Sequence, residues 1–147
     1  IDLFSRYVDV NITSKWDETS EKAALHVAAT KGHIETVRFL VERFGADVNI
    51  HDSCEQTPLH SLLLQRHDHR RMRRKEDFEG IAEFLMAKGV CIDHQNTNGD
   101  TALHFAAKNQ FQRIAEMLLL SGQDAAIKNK AGFTPRDVIS DFDVQTK

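Results

Sequence analysis

Proline and cysteine are scarce, two of each in 147 residues, and the chain has a single Trp and a single Tyr. Two cysteines, Cys54 and Cys91, cannot build a disulfide framework, so a reducing compartment, cytoplasm or nucleus, is the expectation. No apolar run approaches the roughly 20 residues that a membrane helix needs, and no charged-then-apolar leader opens the chain. Pro, Gly and Ser nowhere accumulate as they do in linkers, and no internal domain boundary is visible. A Gly-rich phosphate loop, a nucleophile elbow, an HExxH pair and a convincing acid pair are all missing. No catalytic residue, cofactor or metal is therefore assigned, and the chain is not read as an enzyme. It opens Ile1-Asp2-Leu3-Phe4, without an initiator Met, and is expected to be part of a longer polypeptide.

What is present is enough material for one domain: 41% of residues are hydrophobic and 28% charged. The net charge of -3 is unevenly placed. Residues 66–77, RHDHRRMRRKED, hold six of the nineteen Lys and Arg against three acids, which leaves thirteen bases against nineteen acids elsewhere. The chain is an acidic body with one basic segment.

The body repeats itself. Ala23-Ala24-Leu25-His26-Val27-Ala28-Ala29, Thr57-Pro58-Leu59-His60-Ser61-Leu62-Leu63, Thr101-Ala102-Leu103-His104-Phe105-Ala106-Ala107 and Thr134-Pro135-Arg136-Asp137-Val138 are one motif at steps of 34, 44 and 33 residues. A second register, Val8-Asp9-Val10-Asn11, Ala46-Asp47-Val48-Asn49, Val90-Cys91-Ile92-Asp93 and Gln123-Asp124-Ala125-Ala126, recurs at 38, 44 and 33. A fixed period near 33 is the mark of stacked supersecondary units. The pattern resembles the ankyrin repeat, with its TPLHxA helix start, Gly-His turn (Gly32-His33), apolar second helix and GADVN exit (Gly45 to Asn49). The resemblance covers nearly the whole chain and implies an all-α solenoid of helix-turn-helix repeats joined by β-hairpin loops. Its expected divisions are the tail of a repeat at 1–17, repeats at 18–51, 52–95 and 96–128, and a C-terminal capping repeat at 129–147.

Local chemistry fits that shape. Thr57 and Thr134 can cap helix N-termini, and Pro58 and Pro135 follow at the first helical position, where a missing N–H costs nothing. Ala23 forfeits the side-chain cap. Ile34, Val37, Leu40 and Val41 recur at helical spacing, and Gly45, Gly89 and Gly122 are placed to end the second helices in the left-handed conformation. His26, His60 and His104 recur in register at the third helical position. There an imidazole faces back to the capping turn, so a structural hydrogen-bonding role is expected rather than catalysis or metal binding.

The departures carry the functional expectations. The second repeat gains about eleven residues between Gln65 and Asp77 and replaces the Ala-Ala pair by Leu62-Leu63, which predicts a fatter and longer inner helix. The inserted residues 66–76, with His67, His69, Arg70, Arg71, Arg73, Arg74 and Lys75, are either an anion-binding patch for nucleic acid or phosphoinositide or an inert solvated insert. His51-x2-Cys54 and Cys91-x2-His94 have zinc-ligand spacing, but both cysteines read more simply as tolerated substitutions. The Asn11-Ile12-Thr13 sequon is read as chance.

The family resemblance implies a protein-binding platform that uses hairpin tips and the concave inner-helix surface. Carried over by position, the contact residues are Thr19, Ser20, Glu21, Lys22, Thr30 and Lys31 in the first repeat, then Ser53, Cys54, Glu55, Gln56 and Gln65. The third repeat adds Thr97, Asn98, Asp100, Lys108 and Asn109, and the last adds Lys130 and Phe133. Trp16, in the longer first hairpin, is either an interface anchor or a cover for the start of the stack. Glu21 and Glu55 stand where Gly99 and Gly132 supply the tip glycine, so the first two tips are expected to turn differently. Glu18, Glu21, Asp52 and Glu55 predict an acidic end of the concave face and a partner segment bearing Lys or Arg.

Overall fold

The computed structural model describes residues 10–15, 21–64 and 75–138. Three helix pairs follow one another: α1 (Ala24–Lys31) with α2 (Ile34–Glu42), α3 (Pro58–Leu63) with α4 (Lys75–Ala87), and α5 (Ala102–Lys108) with α6 (Gln112–Leu120). A further helical turn spans 135–138. Inner helices α1, α3 and α5 stack in one layer and outer helices α2, α4 and α6 in a second. The first hairpin forms a short antiparallel ladder, β1 (Ser14–Lys15) against β2 (Glu21–Lys22), with Ser14 opposite Lys22. This is the helix-turn-helix solenoid expected from the repeats.

The core lies between the two layers. Leu25 and Leu59 from the inner helices and Val37, Ile81, Leu85, Ile114 and Leu118 from the outer ones are at most 1% exposed, and Leu103 joins them. No single pair encloses this apolar surface; each repeat is covered by the next.

Three hydrogen-bond series recur with the period of the repeat; two join neighbouring repeats and the third folds each hairpin tip. The first runs through the buried histidines. Nδ1 of His26, His60 and His104 accepts the backbone N–H of its own N-cap residue, Ala23, Thr57 or Thr101, at 3.2, 3.3 and 3.0 Å. That leaves the proton on Nε2, which donates to the carbonyl of Gln56, Asp100 and Phe133 in the following repeat at 2.8, 3.0 and 2.9 Å. The hydroxyls of Thr57 and Thr101 also meet Nδ1 at 2.9 Å, whereas Ala23 has no side-chain cap. Each imidazole therefore caps one helix and closes the next hairpin.

In the second series the exit residue of each repeat reaches forward. Asn11 Oδ1 accepts from Asp47 N–H, Asn49 Oδ1 from Cys91 N–H, and Asp93 Oδ1 from Asp124 N–H. In the third, Asp52, Asn96 and Asn129 fold the hairpin tips, each Oδ1 accepting the N–H groups two and four residues on. At about 0.5–1.5 kcal/mol net per bond, each series matters through repetition and through the cost of leaving a buried partner unpaired.

Two expectations are corrected. The inner helix of the second repeat is not longer: α3 ends at Leu63 after six residues, while the outer helix α4 has thirteen against nine in α2 and α6. Leu62 and Leu63 are fully buried, so the wider side chains stay within the core. The tip at Glu55 does not turn differently either. Glu55 adopts φ +56°, in the same left-handed region as Gly99 (+77°) and Gly132 (+86°), and its N–H bonds to Asp52 O as Gly99 bonds to Asn96 and Gly132 to Asn129. The Asp52 turn imposes the conformation and glutamate bears the strain. Glu21, in contrast, lies in β2, so only the first hairpin departs from the common form.

At the end of α5 Gln110 likewise takes φ +65°, where the equivalent Gly32 has +73°. Replacing a side chain at a left-handed position by glycine removes about 1–2 kcal/mol of strain and returns roughly 0.5–1 kcal/mol of unfolded-state entropy. Glu55→Gly and Gln110→Gly should each raise the urea midpoint by the equivalent of about 0.5–1 kcal/mol. Gly99→Ala should lower it, because the new Cβ would meet the Lys130 amide nitrogen at 2.8 Å.

Burial pushes the His60 imidazole down to about 4, and His26 is lowered for the same reason. The unfolded chain takes up a proton near 6.5 while the folded chain resists to about 4, so stability is complete above pH 6.5 and drains away as pH falls toward 4. The loss from His60 is on the order of 3 kcal/mol. Chemical denaturation between pH 7 and 4 should show that slope, and His60→Asn should flatten it.

Candidate partner-binding surface

The hairpin tips form a row held from beneath. Ser53 N–H donates to Glu21 O, Thr97 N–H to Cys54 O and Lys130 N–H to Asn98 O, so each tip leans on its predecessor through backbone groups. This leaves the side chains at the crest pointing outward. Glu21, Ser53, Glu55, Thr97, Asn98, Lys130 and Phe133 are exposed, and Phe133 offers an aromatic surface at 42% exposure. Lys31 and Lys108 are exposed at the ends of inner helices α1 and α5.

Other residues expected on this surface have internal duties. Asn109 is only 7% exposed, and its amide donates to the Leu63 carbonyl, so it is not available to a partner. The cause is the early end of α3, which frees a carbonyl that the next repeat must satisfy. Thr30 is half-buried and donates its hydroxyl toward His26 O and Ser61 O. Asp100 accepts from Asn129 Nδ2, and Gln56 and Lys22 are half-buried. Ser53 keeps an exposed position but its Oγ accepts Glu21 N–H.

The acidic end is smaller than expected. Asp52 is 7% exposed and spends one carboxylate oxygen on the hairpin turn, so Glu21 and Glu55 carry the exposed negative charge among the described residues there. The charge changes sign along the row, from those two glutamates to Lys130 and Arg136. Trp16, Glu18, Thr19, Ser20, Gln65, His67, His69, Arg70, Arg71, Arg73 and Arg74 lie outside the described residues. Lys75 begins α4.

The two zinc-spaced pairs meet through their histidines. The His51 and His94 rings stack at 4.1 Å and 20°, His94 bonds to Glu55 O at 2.7 Å, and its ring stands edge-on to His60. Cys54 and Cys91 are free thiols, and no group of three or more metal-binding side chains converges among the described residues. His51 and His94 come from adjacent hairpins, and their stack braces the second tip, a contact that spacing alone did not foretell.

The last repeat replaces the bridging histidine with Asp137, whose carboxylate accepts Thr134 N–H at 2.9 Å while Asp137 N–H donates to the Thr134 hydroxyl. The Thr134 backbone N–H, and after it the Thr134 hydroxyl, hold the exposed carboxyl below its ordinary range. Aspartate reproduces the cap but has no N–H to send forward.

No helix of the described residues is long and apolar enough to cross a membrane. The family model for ankyrin repeats (three copies) matches residues 2–72 and 25–129. A Fowlpox virus (strain NVSL) protein named for its ankyrin repeats is 30% identical over 112 residues, 76% of this chain. A probable E3 ubiquitin-protein ligase of Oryza sativa subsp. japonica is 37% identical over 95 residues, 65% of the chain, and ankyrin repeat domain-containing protein 53 of Mus musculus is 31% identical over 114 residues, 78% of the chain. The chain spans only 30%, 16% and 22% of those three proteins. The same unit that the histidine bridges hold in register is thus found in longer proteins, and the chain belongs to the ankyrin-repeat family.

Proposed function

We propose that this chain is a non-catalytic protein-binding module of a larger adaptor or scaffold, and that it holds a partner segment across its hairpin tips and inner-helix face. The observation that carries this reading is the separation of labour at the tips. Backbone and Asx hydrogen bonds build the row, which leaves Glu55, Thr97, Asn98 and Lys130 exposed at the crest. A rigid row of side chains is pre-organised for binding, so little ordering entropy is lost when a partner docks. Ankyrin repeats in general serve as protein-interaction modules. The rice relative, a ligase by name, is one setting in which such a module accompanies another activity. The free thiols suit the cytoplasm or nucleus as its compartment.

The charge pattern selects the partner. A segment that brings Lys or Arg over Glu21 and Glu55 and an acidic residue toward Lys130 would match the row in sign along its length. Charge at a rim chiefly governs encounter rate and register, so the effect of reversal should appear in association and in salt dependence.

For a Lys-rich peptide that binds the full chain, the double reversal Glu21→Lys with Glu55→Lys should weaken affinity about tenfold. Deletion of 66–76 should leave it unchanged. Unaltered affinity in the double variant would remove the acidic-tip reading. Binding of RNA or phosphoinositide vesicles that is lost on deletion and falls steeply with salt would transfer the function to the Arg-rich insertion.

A further inference from the structure

The outer face of the stack has two seams that do not match. Counting back from the helix-ending glycines Gly45, Gly89 and Gly122, Arg38 in α2 corresponds to Ala82 in α4, Phe84 in α4 to Met117 in α6, and Lys88 to Ser121. At the α2–α4 seam the chain supplies its own lid: the Arg38 guanidinium lies 5.5 Å and the Lys88 ammonium 5.6 Å from the Phe84 ring centre. At the α4–α6 seam both cations are gone, replaced by Ala82 and Ser121. What remains is an open groove of about 410 Å³ lined by Glu83, Met86, Ala87, Met117, Leu120 and Ser121.

Leu120 sharpens the contrast. It is 88% exposed, at a position that holds Arg43 in the first repeat and Ala87 in the second. The repeat itself therefore does not require an apolar side chain there. Methionines at a groove adapt to an incoming apolar surface at low cost. Glu83, exposed at the edge, is a carboxylate beside a seam that lacks the two cations its neighbour has.

We propose that the α4–α6 groove docks an amphipathic helix of a partner protein, with apolar side chains among Met86, Met117 and Leu120 and a Lys or Arg against Glu83. The partner provides in trans what Arg38 and Lys88 provide in cis at the preceding seam: apolar cover and positive charge. A furrow between two adjacent outer helices fits the helix-in-groove mode, in which residues at i, i+3, i+4 and i+7 make the anchors. This surface is separate from the tips, so one chain can hold two partners at once.

Two of the chain's three methionines, Met86 and Met117, line the groove, which makes the test direct. The full chain is labelled with ¹³C-methyl methionine and titrated with a designed helical peptide bearing leucines at i, i+3, i+4 and i+7 and flanking lysines. Saturable shifts at the Met86 and Met117 methyls, with Met72 still, are expected. Leu120→Asp and Glu83→Lys, both at exposed positions and checked for unchanged melting, should each weaken binding about tenfold or more. A peptide with flanking glutamates should bind more weakly than the lysine form. The proposal is overturned if no saturable shift occurs, if Met72 alone responds, or if both variants bind as tightly as the parent. It is also overturned if the two methyls shift on raising the chain's own concentration without peptide, which would give the groove to a second copy.

Discussion

A neutral imidazole buried between repeats is the contact on which the rest of this structure depends. A stack of helix pairs has many apolar contacts that tolerate sliding, but a hydrogen bond does not. His26, His60 and His104 each accept from the N–H of the residue that caps their own helix and donate to the carbonyl that closes the next hairpin. One side chain thus fixes the helix start, the hairpin and the register between neighbours. Only the uncharged ring can do this, because both nitrogens of an imidazolium donate and the N-cap N–H would be left facing another donor. At His26 and His60 burial favours the uncharged ring, and there the arrangement sustains itself.

From that contact the surface follows. Once hairpins are closed by backbone groups and Asx turns, their crest side chains are free to vary without loss of fold. The cost appears where the chain departs from the common pattern. Glu55 is held left-handed because the Asp52 turn and the His94 contact on its carbonyl leave it no other path. Backbone strain at such a position persists only where the surroundings over-determine it. The shortened α3 in turn commits Asn109 to the Leu63 carbonyl and removes it from the surface.

The architecture was legible in the amino-acid order because it depends on residue types that recur: His at the third helical position, Thr-Pro at two helix starts, Gly at the helix ends. The role of the histidines could be read for the same reason. Glu55 was not legible, since nothing in a glutamate announces a positive φ that its neighbours impose. Asn109 was misplaced because its duty is to a carbonyl more than forty residues earlier, at the end of a different helix. The exposed site was readable only as a set of positions, and burial then separated Asn109 and Asp52 from Glu55, Thr97 and Lys130. The seam between α4 and α6 could have been found by aligning repeats, because Leu120 falls where Arg43 stands, but its openness depends on the packing of both helices.

The measurement closest to the centre of this account is the long-range ¹⁵N–¹H spectrum of the imidazoles at neutral pH, which reports where each ring carries its proton. His26, His60 and His104 should each show a protonated Nε2 beside a bare Nδ1, in contrast to the averaging of tautomers expected for the exposed His33. A proton on Nδ1, tautomer averaging at the three buried rings, or an imidazolium signal at pH 7 would mean that the repeats are not joined in this way, and the account would fail at its base.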